Sequence, residues 1–106
     1  MEFSIIVARM APEDEAAVRG IWAESDTTEL PFLLGVKHRR VYKFHGLYFH
    51  LVAAEEGIGS RLGAIGTNSL FADVNERLRP YVSAYDPATW RQPQDAMAKE
   101  FYAWNA

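Results

Sequence analysis

Phe3, Ile5 and Val7 alternate with Ile6, Ala8 and Met10 in one β-branched, apolar run near the start of the chain. Such a run reads as a strand whose two faces are both covered. A chain of 106 residues has few ways to do that. The residues after the run narrow them further.

Pro12 suits a first helical position, and Glu13, Asp14 and Glu15 favour the positive end of a helix dipole. Ala17, Val18, Ile21 and Trp22 then recur at helical spacing. Ser25-Asp26-Thr27-Thr28 favours caps and turns, and Pro31 marks a break. Residues from about 35 to 44 and from 47 to 54 read as two strands around His45-Gly46, where Gly46 can supply a positive φ. A second helical region covers about 57 to 79 and is broken near Gly66, with Thr67 or Asn68 to cap its second part. Leu70, Phe71, Val74 and Leu78 form its stripe, and Pro80 ends it. The turn-rich stretch from Tyr81 to Pro93 is left unassigned. Met97 to Trp104, rich in aromatics, reads as the last strand.

The order is β-α-β-β-α-β, without repeats or linkers, so residues 1–106 form a single domain. This is the ferredoxin-like α+β arrangement, an antiparallel four-stranded sheet with the helices on one face. Two helical regions on one face cannot cover the second apolar face. A second copy packed sheet to sheet can, which predicts a homodimer.

Composition removes whole classes of function. There is no cysteine, so disulfide scaffolds, thiol catalysis, iron–sulfur clusters and thiolate zinc sites are excluded; this fits the cytoplasm. The net charge of −3 offers no attraction to nucleic acid or an anionic membrane. No apolar run approaches the ~20 residues that span a bilayer, and Phe3 to Ala8 is too short for a signal peptide. Aromatics reach 13%, more than a small core needs, which points to a pocket or an interface.

If His45-Gly46 is a two-residue turn, Val41 faces His50, Lys43 faces Tyr48 and Arg39 faces Val52. One side of the hairpin then carries Lys37, Arg39, Val41, Lys43, Tyr48, His50 and Val52. Arg39 and His50 become diagonal neighbours. A guanidinium beside an imidazole can stabilise an enolate and exchange protons near neutral pH. A solvated strand face with one incidental histidine explains the same residues.

Other motifs carry less. Gly57-Ile58-Gly59-Ser60-Arg61-Leu62-Gly63 has its third glycine displaced from the dinucleotide-binding spacing, and Glu55-Glu56 would repel a pyrophosphate. His38, His45 and His50 fall on two faces and a turn, which argues against a shared metal. Lys37-His38-Arg39-Arg40 reads as local pocket charge. Trp22, Phe71, Phe101 and Trp104 read as core, one or two of them lining a ligand cavity. Asp26-Thr27-Thr28-Glu29-Leu30-Pro31 is either a capping turn or a stiff carrier for a positioned carboxylate.

Taken together, Ser25-Asp26-Thr27-Thr28-Glu29-Leu30-Pro31, Gly35-Val36, Arg39, Phe44-His45 and Leu47-Tyr48-Phe49-His50-Leu51 resemble the tetracenomycin-type aromatic polyketide cyclases. The likeness continues through Leu70-Phe71, Val74-Asn75-Glu76-Arg77 and Pro80-Tyr81 to Phe101-Tyr102-Ala103-Trp104. The resemblance implies a dimeric α+β barrel and a bacterial enzyme without metal or organic cofactor. It implies intramolecular aldol condensation and dehydration of a poly-β-ketone or a partly cyclised intermediate, alongside other polyketide synthase components. His50, Arg39 and Asp26 match the family's proposed active-site positions, and are assigned as general acid/base, enolate or carbonyl stabiliser, and second proton-transfer or orienting group; Tyr48 and Lys43, with the aromatic Trp22, Phe71 and Trp104, are the expected pocket members. Family members often carry His before the Asp; here Ser25 stands there. A cofactor-free monooxygenase of aromatic polyketides and a non-catalytic polyketide-binding dimer are the alternative readings, since fold alone does not decide function.

Overall fold

The computed structural model describes residues 1–91 and 93–106. Strand β1 (Glu2–Met10) leads through a 3₁₀ turn (Pro12–Asp14) into helix α1 (Glu15–Ser25) and a short helix α2 (Leu30–Leu34). Strands β2 (Val36–Phe44) and β3 (Leu47–Ala54) form the hairpin. They are followed by α3 (Ile58–Ile65), α4 (Ser69–Leu78), β4 (Val82–Ala84) and a final 3₁₀ turn (Pro93–Ala96). The sheet order is β2-β3-β1-β4 with antiparallel neighbours, the ferredoxin-like topology. β1 has a strand on each edge, but only one of its two apolar faces is covered: Phe3 and Ile5 on the other are exposed.

Pro31 does not end a helix. It stands in the first turn of α2, where its missing N–H costs nothing and its fixed φ favours the helical start. Asn68 caps α4 by accepting from the backbone N–H groups of Leu70 (2.8 Å) and Phe71 (3.4 Å). In the hairpin turn the left-handed residue is His45 (φ 55°), not Gly46.

The last strand also differs from the expectation. β4 is Val82–Ala84, inside the turn-rich stretch, and it pairs with Ala8–Met10. Only the lower part of the same β1 edge is then open to a later segment. Met97 takes it with one bridge to Ile6, and the Ala98 N–H donates to the Ile5 carbonyl (2.7 Å). Residues 99–106 form no helix or strand and are exposed, so Phe101 and Trp104 are not core.

The main core lies between sheet and helices. It joins Ala8 and Met10 of β1, Tyr48 of β3, Val18 and Ile21 of α1, Leu30 and Leu34 of α2, Ile65 of α3, and Val74 and Leu78 of α4. On the opposite sheet face Phe3 (69%), Tyr42 (54%) and Phe44 (62%) are exposed. Arg61 of α3 ties the helical layer to the sheet, donating to the carbonyls of Leu34 (3.0 Å) and Glu55 (2.6 Å). Its guanidinium lies where a side chain on Gly35 would be, 2.8 Å from an added Cβ, and Gly35 has φ 70°. Only glycine meets both demands there without strain. The glycine-rich stretch from Gly57 therefore opens α3 and supports this latch.

Candidate active site

The hairpin register is the one a two-residue turn requires: Phe44 opposite Leu47, Val41 opposite His50, Arg39 opposite Val52. A bulge between Val36 and His38 takes Lys37 out of the alternation, and Lys37 pairs with Glu55 (3.0 Å) at the strand end. Val52, His50 and Tyr48 of β3 are buried, beneath the helices. Arg39 and His50 thus lie in the interior between the layers rather than on a solvated face.

Helix α1 supplies the third side. Its end is held by hydroxyls: Thr27 Oγ1 donates to the Glu24 carbonyl (2.6 Å) and Thr28 Oγ1 to the Ser25 carbonyl (2.7 Å). Thr28 Oγ1 also accepts from the Leu30 N–H (3.2 Å). The threonines do the capping, so the Asp26 side chain faces Arg39. Arg39 Nε–H donates to both Asp26 oxygens (3.1 and 3.0 Å), and Nη2 lies 3.0 Å from Oδ1. On its other edge, Arg39 Nη1 donates to His50 Nε2 at 2.7 Å. The plane of the guanidinium rests on the Trp22 ring, 4.2 Å from its centroid.

A guanidinium has five N–H donors and no acceptor. Asp26 and His50 hold the cation by both edges, yet each Nη nitrogen keeps an N–H for a further acceptor. The arrangement is a fixed cationic donor, reached by solvent on the Asp26 side: the Asp26 side chain is 39% exposed and that of Arg39 only 11%.

Trp22 and Tyr48, expected as pocket walls, are part of this assembly. Trp22 Nε1–H donates to Tyr48 Oη (3.0 Å), and the Trp22 ring lies 4.6 Å from that of His50. Trp22 belongs to the apolar stripe of α1 and stands one helical turn before Asp26, which brings both to the same side of the helix. Burial pushes the Tyr48 phenol up to about 12 against the opposing effects of Trp22 and Arg39. Burial first, and the Arg39 charge second, push the His50 imidazole down to about 3. At neutral pH His50 is uncharged.

The other expected pocket members lie elsewhere. Lys43 pairs with Glu15 of α1, and this pairing lowers the Glu15 carboxyl. Phe71 packs from α4 against the main core. Trp104, 74% exposed, lies on the segment that has left the sheet after Ala98. Two hollows open away from the cluster, one beneath residues 85–98 and one between α2 and α3; neither is walled by Asp26, Arg39 or His50. Among the described residues no three histidine or carboxylate side chains group as metal ligands do. Among them, too, no helix is long and apolar enough to cross a membrane.

A largely buried, pre-oriented guanidinium with a carboxylate at its open edge is an arrangement that can donate to a developing oxyanion. Residues 2–105 match the model of the polyketide synthesis cyclase family, and the chain belongs to that family. It is 41% identical over 103 residues to the tetracenomycin F2 cyclase of Streptomyces glaucescens, covering 97% of this chain and 94% of that one. It is 40% identical over 104 residues to polyketide synthase CurG of Streptomyces cyaneus (98% and 97% covered). An uncharacterized Streptomyces coelicolor protein is 49% identical over 105 residues (98% and 95% covered). The solved structure of the tetracenomycin F2 cyclase, a type-II polyketide cyclase, superposes with a TM-score of 0.92 at 40% identity, covering 100% of this chain and 99% of that one.

Proposed function

We propose that this polyketide cyclase catalyses intramolecular aldol condensation and dehydration of a poly-β-ketone or partly cyclised aromatic intermediate. The family, a relative named as a polyketide synthase and a solved relative described as a type-II polyketide cyclase support a polyketide as the substrate class. The observation that carries the reaction type is the Arg39 guanidinium, fixed by Asp26, His50 and Trp22 with N–H groups to spare.

The chemistry asks for little more. A methylene between two carbonyls is already acidic, so a carboxylate suffices as base. Asp26, at the open edge, takes the methylene proton. The remaining Arg39 N–H groups bind the enolate oxygen and then the alkoxide formed as the new carbon–carbon bond closes. Asp26 returns its proton to that alkoxide, and dehydration then removes a second α-proton and expels the hydroxyl, protonated, as water to leave a carbon–carbon double bond. Every step is redox-neutral and so needs no redox cofactor, and the Arg39 cation takes the part of the enolate-stabilising electrophile. The sequence reading gives His50 the acid–base role. Its burial and its bond to Arg39 disfavour the imidazolium, and proton transfer is assigned to Asp26 instead.

The exposed apolar face around Phe3, Tyr42 and Phe44 supports a homodimer packed sheet to sheet. The cytoplasm and association with other polyketide synthase components complete the proposal. The test is to incubate the purified protein with polyketide intermediates, with and without oxygen, and compare products with spontaneous cyclisation. Faster and more selective ring closure without oxygen is the expected result. An absolute need for oxygen would move the protein to the monooxygenases. Tight binding with an unaltered product distribution would make it a carrier.

A further inference from the structure

The contact between Arg39 and His50 has a direction. A guanidinium carries only donors, so at 2.7 Å the lone pair of His50 Nε2 must accept. A neutral imidazole has one N–H, and Nδ1 then carries it. We propose that His50 is a positioning residue for Arg39, held as the neutral Nδ1–H tautomer, and that it exchanges no proton with substrate.

Protonation of Nε2 would set two N–H groups against each other, one of them on a cation that cannot swing away. Asp26 holds the far edge of that cation and Trp22 its face. The groups facing His50 offer no relief. β2 presents Arg39, β3 presents Tyr48 with ring centroids 6.2 Å apart, and α1 presents the Trp22 ring. Asp26 lies across the guanidinium from the imidazole, so its charge is spent on Arg39. With Nε2 engaged and His50 only 6% exposed, a substrate proton could reach that nitrogen only by displacing Arg39. What the bond does accomplish is to fix the direction of Nη1, and with it the N–H groups left for an oxyanion.

The activity arm of the test rests on the cyclase reading; the spectroscopic arm does not. In ¹⁵N-histidine-labelled protein, with the His50 signals assigned by their loss in His50→Gln, Nδ1 should be of the protonated type and Nε2 of the unprotonated type. No midpoint should appear near 6.5, the ordinary imidazole value, between about pH 5 and pH 8. An Nε2–H tautomer, or a midpoint within about one unit of that value, would overturn the proposal. In the cyclisation assay, His50→Gln presents an amide oxygen where Nε2 stood, and kcat/KM should fall by no more than about tenfold with the pH profile kept. His50→Leu, without an acceptor, should lose about 10²–10³, the usual cost of a mispositioned oxyanion donor. A Gln variant as inactive as the Leu variant, with one pH limb gone, would restore the acid–base role. If no cyclase activity is found at all, the tautomer result still stands or falls by itself, and the function is what fails.

Discussion

Asp26→Asn separates chemistry from architecture, because the structure leaves the Asp26 side chain no capping duty. The α1 end is closed by Thr27 and Thr28, so the folding cost is confined to the Arg39 pair. That pair is partly open to solvent, 39% on the Asp26 side chain, and such pairs contribute at most about 1 kcal/mol. For a domain near 100 residues this is a Tm shift of roughly 4–8 °C. The amide oxygen still accepts one Arg39 N–H, so the guanidinium keeps much of its orientation. It cannot take up a proton at neutral pH. If Asp26 is the base, kcat/KM should fall by about 10²–10⁴ while the fold persists, and one limb of the pH–rate profile should disappear. If Asp26 merely orients Arg39, the loss should stay near tenfold with the profile intact. The assay is initial-rate cyclisation corrected for the spontaneous reaction, paired with denaturant unfolding. An Asn variant that cyclises within about threefold of the wild-type rate with both pH limbs present would refute the proton-transfer role.

Arg39→Lys keeps the charge, but a single ammonium nitrogen lacks the planar fork that reaches Asp26 on one edge and His50 on the other, so kcat/KM should drop by about 10²–10³; wild-type turnover would show that charge alone suffices. The His50 imidazole, held at about 3 in the fold and near 6.5 when unfolded, should make stability fall as pH drops from about 6 to about 4, since only the unfolded chain takes up the proton there. The slope attributable to His50 should be about 1 kcal/mol per pH unit, read as the difference between wild type and His50→Gln in denaturant unfolding; parallel curves would mean that His50 protonates in the native state. Light scattering at micromolar concentration should give twice the chain mass, and a monomeric value would leave the face around Phe3, Tyr42 and Phe44 without its partner.

The side-by-side placement of Arg39 and His50 was legible without coordinates. A two-residue turn sets the register of a hairpin, and strand alternation then dictates which side chains share a face. The apolar parities of Phe3 to Met10 called for cover on both faces; the helices cover one, while Phe3 and Ile5 on the other are exposed, although β1 has a neighbour on each edge. Alternation states which residues go together, but not which face the helices will cover. Packing decided that, and it turned a charged strand face into a buried site with His50 uncharged. Partners distant in sequence were equally out of reach. Asp26 and Arg39 meet because α1 and β2 pack together, and a capping role for Asp26 competed with this on local grounds until Thr27 and Thr28 were seen to do the capping. The same limit explains the final strand. Val82–Ala84 and Met97 share one edge of β1: the first pairs with Ala8–Met10 and the second bridges Ile6, so pairing along that edge and not the aromatic content of residues 97–104 sets where the strand lies. Local propensity is a property of neighbours in the chain; edge pairing and burial are properties of neighbours in space, and those were decided only when the layers closed.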